Sequence, residues 1–463
     1  MLNLKNLNVF ITLVFFISSL GLFLTAGDYG AHGTAHLTEG YLTIIDRNKF
    51  GDEAGFLRVA EVWSREGIKL ENSGILGLWP PGLMFTHYIG FLIFGDGYAP
   101  VLFIGIINII IMSVALAFLL KSWSLLGEVK FYEKLILVSS AIFSGYIWYT
   151  FILTRAPLLT EGLSIVLFSL YLALTFCFFL TRTQFNERKF LHLDSQILIL
   201  SSVLFLTIFT RQTYSMFIDI FLCFSIVIAL SFWRMGIRRL ARYASFYKIL
   251  LFPALIVFIV SIPYKLFMFD RSGSFNIVDT NSYVWGQRWI PSEHLISTGG
   301  AWLVEGGANV PCLLNQPLCE KIYEREMAKK YPYMDRQNFR EFKSLTFQTI
   351  LTNPLDWASI KLSLFFKYWF NDLADVWKAR FFNAMFVIQL CFLVFLGCIS
   401  SLKLFFGTVQ NKIISALILS VLVALTLPQF LLHFEVRYFL PIKYFTPFLC
   451  FSFLISNRRL HEH

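Results

Sequence analysis

Apolar and polar positions in this chain are grouped into long blocks, and the apolar blocks approach or reach the length of a membrane span. A helix needs about 20 apolar residues to cross the hydrocarbon core of a bilayer. The apolar blocks cover residues 8–26, 98–121, 134–153, 162–180, 197–210, 215–233, 249–269, 383–402, 413–432 and 439–455. This pattern predicts an all-α polytopic membrane protein with about ten transmembrane helices.

Two of the polar segments between these blocks are long. The first, at about 27–97, is expected to form an outer loop with interfacial helices, and the second, at 270–382, an extracytoplasmic loop domain. They separate a membrane region at 1–269, which includes the first loop, from C-terminal transmembrane helices at 383–463. Within the second loop, the aromatic stretch 357–370 carries spaced Lys residues and is expected to lie on the bilayer surface.

The first outer loop contains an amphipathic segment, GDEAGFLRVAEVWSREG, at 51–67. Apolar residues recur there at helical spacing, which predicts a helix in the membrane interface with an apolar face made of Phe56, Val59, Val62 and Trp63. Pro80 and Pro81 then break the helical pattern, because neither has a backbone N–H to donate. The apolar segment that follows, at 83–95, is short for a crossing and is expected to be re-entrant or interfacial, with His87 packed in the interface.

Composition and charge support the membrane assignment. Of the 463 residues, 57% are hydrophobic and 15% are charged, whereas about a quarter are charged in soluble domains. The net charge of +10 comes mostly from Lys and Arg in alternate short connectors, which is typical of the positive-inside rule. We therefore expect membrane lipid as a partner, no nucleic acid, and both long loops outside. The second loop is itself basic, but long loops are largely exempt from the rule.

The seven cysteines fall into two groups. Five lie in apolar blocks, where a free thiol behaves as a small hydrophobe. Cys312 and Cys319 instead lie in the polar sequence VPCLLNQPLCEK, and they are predicted to form a disulfide if this loop faces an oxidising compartment. The alternative is two unpaired loop thiols.

Ionisable residues gather in four places near the predicted outer face, and charges near span ends are costly enough to suggest a function. The four are Asp52 with Glu53, Arg155 with Glu161, Arg211 alone, and His433 with Glu435, Arg437 and Tyr438. The acidic pair can supply a general base, or it can cap the helix that follows. Arg155 and Glu161 can bind a lipid phosphate, or they can close a hairpin as a structural pair. Arg211 can face a cavity or snorkel to the headgroups.

The order of these features along the chain is itself informative. After one span comes an outer loop that opens with Asp52 and Glu53 and an amphipathic helix, and it continues through Pro80-Pro81-Gly82 to an aromatic segment ending in Phe94-Gly95. This order resembles the GT-C superfamily of membrane glycosyltransferases. The similarity is greatest to the branch of protein O-mannosyltransferases, aminoarabinose transferases and lipopolysaccharide sugar transferases. It covers roughly the first 220 residues and extends more loosely to Arg155, Glu161 and the cluster at 435–438.

The resemblance implies transfer of a sugar from a polyprenyl-phosphate donor to a lipid, glycan or protein acceptor on the outer face. It implies that Asp52, beside Glu53, is the catalytic base and that the reaction inverts the anomeric centre. Donor-phosphate or acceptor binding would fall to Arg155, Glu161, Arg211, Glu435, Arg437 and Tyr438. No cofactor is certain; a divalent metal ion, used by some relatives, would have Asp52, Glu53 and Glu161 as its ligands.

Two other classes remain as alternatives. One is a ligase or polymerase that joins polyprenyl-linked polysaccharides, and the other is a lipid or solute transporter. Neither explains a first loop with an Asp-Glu pair and a Pro-Pro turn, and the paired broken helices or repeats of many transporters are not evident. The chain contains no N-x-[ST] sequon, which favours a bacterial inner membrane, with the active site facing the periplasm.

Overall fold

A computed structural model describes the greater part of the chain. The residues that it describes are 4–25, 52–68, 80–95, 99–153, 160–185, 195–233, 237–272, 275–278, 376–431 and 436–457, together with single positions between 351 and 369. Within these ranges the structure is helical and contains no strand. The predicted all-α class is therefore confirmed for the described part.

Thirteen α-helices are present in these ranges. They are α1 (Leu4–Thr25), α2 (Asp52–Glu66), α3 (Gly82–Phe94), α4 (Ala99–Leu125), α5 (Phe131–Ile147), α6 (Thr160–Phe185), α7 (Ser195–Thr210), α8 (Ser215–Trp233), α9 (Ile237–Ser272), α10 (Val376–Phe406), α11 (Val409–Leu431), α12 (Val436–Tyr444) and α13 (Thr446–Asn457). A π-helical stretch, Trp148–Leu153, continues α5, and a short 3₁₀ turn, Gln212–Tyr214, joins α7 to α8.

Six of these helical segments are long and apolar enough to cross a membrane. They are Leu7–Leu24, Leu102–Leu125, Thr160–Thr181, Gln212–Leu230, Lys248–Asp270 and Val387–Phe406. Four shorter apolar stretches accompany them, at Gly82–Phe94, Ser195–Thr210, Asn411–Leu427 and Thr446–Ile455. The chain is thus a membrane-embedded helical protein with six candidate spans in the described residues.

Helix α6 is the centre of the bundle. Its apolar stretch, Thr160–Thr181, is 89% buried, whereas Leu7–Leu24 of α1 is only 11% buried. Helix α6 packs mainly against α4 and α7 and also contacts α9, α12 and α13. Around Phe168, the rings of Tyr171, Tyr214, Phe217 and Phe445 lie 4.7–5.8 Å away, centroid to centroid. This aromatic cluster joins helices that are far apart in the sequence.

Helix α1 lies at the edge of this bundle and contacts α4 through a close approach. The ring of Phe23 occupies the space beside Gly105, where an added Cβ would lie 1.9 Å from the ring. The Trp148 indole also donates to the Ser19 hydroxyl, at 3.1 Å. Most other side chains of α1 are exposed at the bundle surface.

Helices α2 and α3 form a hairpin that packs onto the bundle. The α2 residues facing α3 and the core are Phe56, Leu57, Val59, Ala60 and Trp63, and the Trp63 ring lies 5.0 Å from Phe85 and 6.4 Å from Tyr88. The predicted amphipathic helix is present, but Val62 of its predicted apolar face is 42% exposed and lies outside the part of that face that α3 covers. The 3.6-residue repeat turns the buried face toward Leu57 and Ala60 instead.

Burial adds detail to two further expectations. His87 in α3 is fully buried, and neither ring nitrogen has a hydrogen-bond partner among the described residues. Trp369 is 1% exposed, so this part of the aromatic stretch packs against the protein, and a position of the stretch on the bilayer surface stays a prediction. The Trp369 backbone carbonyl accepts a hydrogen bond from Lys443 of α12. The cysteines of the apolar blocks, Cys177, Cys223, Cys391, Cys398 and Cys450, are free, as predicted.

Candidate functional site

Arg211 lies in the break between α7 and α8. Its backbone is extended, with φ −148° and ψ 120°, and its N–H still donates to the Thr207 carbonyl at 3.0 Å. The 3₁₀ turn then follows, and the Tyr214 N–H donates to the Arg211 carbonyl at 3.3 Å. The two helices are therefore joined with almost no loop, and Arg211 lies at the junction. They hardly contact each other, because α7 packs against α6 and α9, whereas α8 packs against α11 and α9.

Glu161, in the first turn of α6, binds Arg211 directly. The distance from Arg211 Nη1 to Glu161 Oε1 is 2.7 Å, which is typical of a charge-assisted hydrogen bond. Thr160 bridges the pair: its hydroxyl accepts from Arg211 Nη1 at 3.2 Å and donates to Glu161 Oε2 at 3.3 Å. The carboxylate also lies in the first turn of α6, near the positive end of the helix dipole, where a negative charge is stabilised.

Burial decides between the two interpretations of Arg211. The residue is 8% exposed and Glu161 is 2% exposed, so Arg211 turns into the protein rather than snorkelling to the headgroups. Removing two charges from water costs several kcal/mol per ion, and only close pairing and additional hydrogen bonds offset this cost. The Glu161–Arg211–Thr160 cluster provides both.

Tyr214 extends this cluster toward the aromatic core. Its ring lies 4.7 Å from that of Phe168, and its hydroxyl is buried. Ser164, Arg211 and Glu161 are the polar neighbours of this hydroxyl. The Ser164 hydroxyl donates to the Glu161 carbonyl at 3.1 Å. A second polar group, the Tyr214 phenol, thus lies beside the ion pair.

The Pro-Pro-Gly turn lies next to the same point. A Cβ added to Gly82 would lie 2.5 Å from the Phe209 carbonyl oxygen and 2.8 Å from the Thr210 nitrogen, so only glycine permits this approach of α3 to α7. Thr210 directly precedes Arg211. Two features that the sequence analysis treated separately, the turn and Arg211, are therefore neighbours.

The remaining predicted site residues are described in part or not at all. Asp52 and Glu53 form the first turn of α2, and Arg437 and Tyr438 belong to α12, but their side chains lie outside the described residues. Arg155, His433, Glu435, Cys312 and Cys319 lie outside them entirely. Of the predicted site, the structure brings together Glu161, Arg211 and the Gly82 turn.

Three charged residues inside the apolar blocks were missed by sequence reasoning. Lys443 of α12 is 1% exposed; its ammonium donates to the Trp369 carbonyl at 2.5 Å and lies 5.1 Å from the centre of that ring. Asp219 of α8 and Lys265 of α9 interact electrostatically with each other. The available signal was a single charge within an otherwise apolar span, which is unusual enough to suggest a function.

The described side chains do not assemble a metal site. No group of three or more His, Cys, Asp or Glu residues comes together among them. Of the predicted ligands, only the Glu161 side chain is described, and it binds Arg211. A metal role for Asp52 and Glu53 stays a prediction.

Comparison with known proteins does not narrow the possibilities. No family model, curated protein or solved structure matches the chain. The functional assignment therefore depends on the residues and geometry of the chain itself.

Proposed function

We propose that this protein is a membrane glycosyltransferase of the GT-C type, which moves a hexose or pentose from a polyprenyl-phosphate donor to a lipid, glycan or protein acceptor. The observation that carries the proposal is the contact of the Pro80-Pro81-Gly82 turn with the backbone beside Arg211, whose guanidinium is held by Glu161. Sequence features of the first loop and a buried arginine thus meet at one end of the bundle.

The proposed chemistry is an in-line displacement at the anomeric carbon. The acceptor hydroxyl oxygen bonds to the anomeric carbon as its proton passes to the Asp52 carboxylate, which acts as general base. The bond from the anomeric carbon to the phosphate oxygen breaks, and its electron pair leaves with the polyprenyl phosphate. Attack from the opposite face inverts the configuration. No nucleotide site is needed, because the leaving group is a lipid phosphate that arrives from the bilayer.

Arg211 is the proposed contact for the donor phosphate, since a guanidinium offers five N–H donors in a planar fork. Glu161 and Thr160 both engage Nη1, and in the proposal they fix the orientation of the fork. Glu161 is then a positioning residue. Arg155, Glu435, Arg437 and Tyr438 remain proposed contributors to donor or acceptor binding, and a divalent ion at Asp52 and Glu53 remains a proposed cofactor.

The transfer reaction tests this proposal directly. Membranes containing the parent or Asp52→Asn would be incubated with a panel of radiolabelled polyprenyl-phosphate sugars, and labelled product would be counted. Loss of a general base costs about 10²–10⁴ in rate, so we expect a loss of that size. Glu66→Gln, at the exposed end of the same helix, is the matched control and should retain activity. Equal turnover by Asp52→Asn would remove Asp52 from this role, and no turnover with any donor would overturn the class.

We further propose ten crossings, with both long loops on the periplasmic side of a bacterial inner membrane. Helices occupy all ten predicted blocks, and the Lys and Arg bias sets the orientation. A cysteine introduced at Ser292 should react with a membrane-impermeant maleimide added outside, with the parent as the background control. If this cysteine reacts only when the maleimide can reach the cytoplasmic side, the proposed orientation is wrong. That result would not test the proposed transfer reaction.

A further inference from the structure

The break between α12 and α13 is buried and is bridged by a side chain of another helix. The two helices are separated by Phe445 alone, and the residues 443–446 are all buried. Gln389 of α10 donates through Nε2 to the Lys443 carbonyl at 2.6 Å and to the Thr446 hydroxyl. One amide group therefore holds both the end of α12 and the start of α13.

The middle of the break contacts three more helices. The Tyr444 hydroxyl donates to Met112 Sδ of α4 at 2.9 Å, and the Tyr444 carbonyl accepts from the Ser144 hydroxyl of α5 at 2.8 Å. The Phe445 ring lies 5.2 Å from the Phe168 ring of α6. Together with the Gln389 amide, these contacts connect one short segment to four helices of the bundle.

Lys443 adds a different kind of contact, because it reaches the second long loop. Its ammonium donates to the Trp369 carbonyl at 2.5 Å and lies 5.1 Å from the centre of the Trp369 ring. That ring stacks on Phe365 at 5.5 Å, and both rings belong to the buried core. Burial of an ammonium is costly, and a carbonyl and an aromatic ring offset part of the cost. Lys443 thus ties the loop to the break.

Helix α12 connects this tie to one part of the proposed site. Arg437 and Tyr438 belong to the first turn of α12. With a rise of 1.5 Å per residue, Lys443 lies about 9 Å along the same helix from Arg437. A displacement of α12 at Lys443 would therefore move the backbone that carries both residues.

The aromatic cluster connects the break to the other part of the site. Phe168 contacts both Phe445 and Tyr214, with centroid distances of 5.2 Å and 4.7 Å. Tyr214 is in turn an electrostatic neighbour of Arg211. The break therefore lies between Arg211 and the start of α12, and it contacts elements that carry both.

We propose that Lys443 is a positioning residue for donor binding. By holding the Trp369 carbonyl, it fixes α12 against the second long loop and so sets the place of Arg437 and Tyr438 relative to Arg211. Binding residues must be held to within about 0.5 Å of their productive positions, and supporting hydrogen bonds provide this precision. The role rests on the proposed transferase function, and Lys443 acts through α12 without touching the donor.

The test is donor kinetics with the purified full-length protein. The probe is the polyprenyl-phosphate sugar that gives the parent its highest turnover, and KM and kcat are measured for the parent and for Lys443→Met. We expect KM for the donor to rise about tenfold, an effect typical of residues that act through others, while kcat changes by less than about twofold. Lys403→Met is the matched control. It removes a lysine 5.7 Å from the Phe453 ring in a different part of the bundle and should change neither constant.

A second variant separates positioning from folding. Trp369→Leu keeps the backbone carbonyl but removes the ring beside the ammonium, and it should raise KM for the donor by about threefold. In the double variant Lys443→Met with Trp369→Leu, KM should equal that of Lys443→Met alone, because both changes break the same contact. Independent structural damage would instead multiply the two effects.

The outcomes distinguish this role from the proposed function. No turnover by the parent with any donor would overturn the proposed function and the role of Lys443 with it. If the parent is active and KM is unchanged in Lys443→Met and Trp369→Leu, only the role of Lys443 is wrong. Effects that multiply in the double variant, or a fall in kcat with an unchanged KM, would equally overturn it. Trp369→Leu alone decides if Lys443→Met does not fold.

Discussion

Two pairs of opposite charges among the described residues are arranged in different ways. Glu161 and Arg211 are both buried, touch at 2.7 Å and share a bridging threonine hydroxyl. Asp219 and Lys265 form no direct salt bridge: the ammonium is buried against rings, and the carboxylate lies on an exposed stripe of α8. The first pair offsets the cost of burial by direct contact, whereas the second keeps its carboxylate outside the core. The same residue types therefore compensate for burial in two different ways.

The largest expected effect on stability comes from breaking the buried Glu161–Arg211 ion pair. Glu161→Gln leaves the Arg211 charge buried without its carboxylate, and removal of one partner of a buried pair costs about 3–5 kcal/mol. Unfolding of the detergent-solubilised protein by increasing SDS, followed by circular dichroism, measures this loss. The double variant Glu161→Gln with Arg211→Gln removes both charges and should recover much of the stability. A single variant as stable as the parent would show that the pair is not desolvated.

The next effect concerns His87, a buried titratable group whose ring nitrogens have no hydrogen-bond partner in the described part of the chain. Burial lowers the pKa of His87 from 6.5 to about 3. Below pH 6.5 the His87 imidazole therefore binds a proton in the unfolded chain but not in the folded protein. The stability of the folded protein falls as the pH drops from 6.5 toward 3. The slope approaches 1.4 kcal/mol per pH unit within this window. SDS unfolding at pH 7.5 and pH 5 measures it for the parent and for His87→Leu.

A neutral leucine at position 87 should remove this part of the pH dependence, leaving only what other groups contribute. If the parent and His87→Leu lose the same stability between pH 7.5 and pH 5, the histidine is hydrated or paired. His87 would then be a third buried group, in which water or a partner compensates for burial.

Gly82→Ala should disturb the Glu161–Arg211 pair indirectly, by displacing the backbone next to Arg211. The added Cβ would clash with the Phe209 carbonyl and the Thr210 nitrogen, and overpacking of this kind costs about 1–3 kcal/mol. Gly145→Ala is the matched control, because an added Cβ there meets nothing within 4 Å, and alanine is the better helix former. SDS unfolding should separate the two variants, with Gly82→Ala the less stable. Equal stability of both variants would show that α3 can move away without cost.

The smallest expected effect on stability comes from Asp219 and Lys265, which form no direct salt bridge. Asp219→Asn removes a carboxylate that makes no direct salt bridge, and exposed charge interactions contribute about 0–1 kcal/mol. SDS unfolding in detergent free of phospholipid should therefore hardly distinguish it from the parent. A loss as large as that of Glu161→Gln would mean that Asp219 stabilises the fold itself, and the contrast between the two pairs would disappear.

Sequence reasoning predicted the all-α class and the positions of the described helices, but it did not predict the contacts between them. Apolar length and Pro or Gly breaks predicted where helices lie, because these are local properties of the chain. The pairing of Glu161 with Arg211 was not predicted, since their separation of 50 positions is closed only by the packing of α6 against α7. The charges of Asp219, Lys265 and Lys443 were passed over because each stands alone in an apolar run. Their meaning depends on the neighbouring helix.

The same limit applies to individual side chains. Val62 fits the helical repeat of the α2 apolar face, yet α3 covers Trp63 and Ala60 and leaves Val62 exposed. The hydrogen bond from Lys443 to the Trp369 carbonyl joins residues 74 positions apart, which no local pattern could indicate. The hydrophobic pattern predicts that a helix face is apolar, but it does not predict which element packs against that face.

The contact between Phe23 and Gly105 has a consequence for how the bundle is assembled. Helix α1 is attached along one face, by Phe23 beside Gly105, by the ring contact of Phe15 with Trp148 and by the hydrogen bond from Trp148 to Ser19, while most of its other described side chains are exposed. In membranes, helices insert first and associate afterwards, and close approach at small residues drives the association. Because Gly105 belongs to α4 and Trp148 to the segment after α5, the face that receives α1 exists only once these later segments have inserted. We therefore expect α1, although it is the first helix in the chain, to wait in the membrane for its partners.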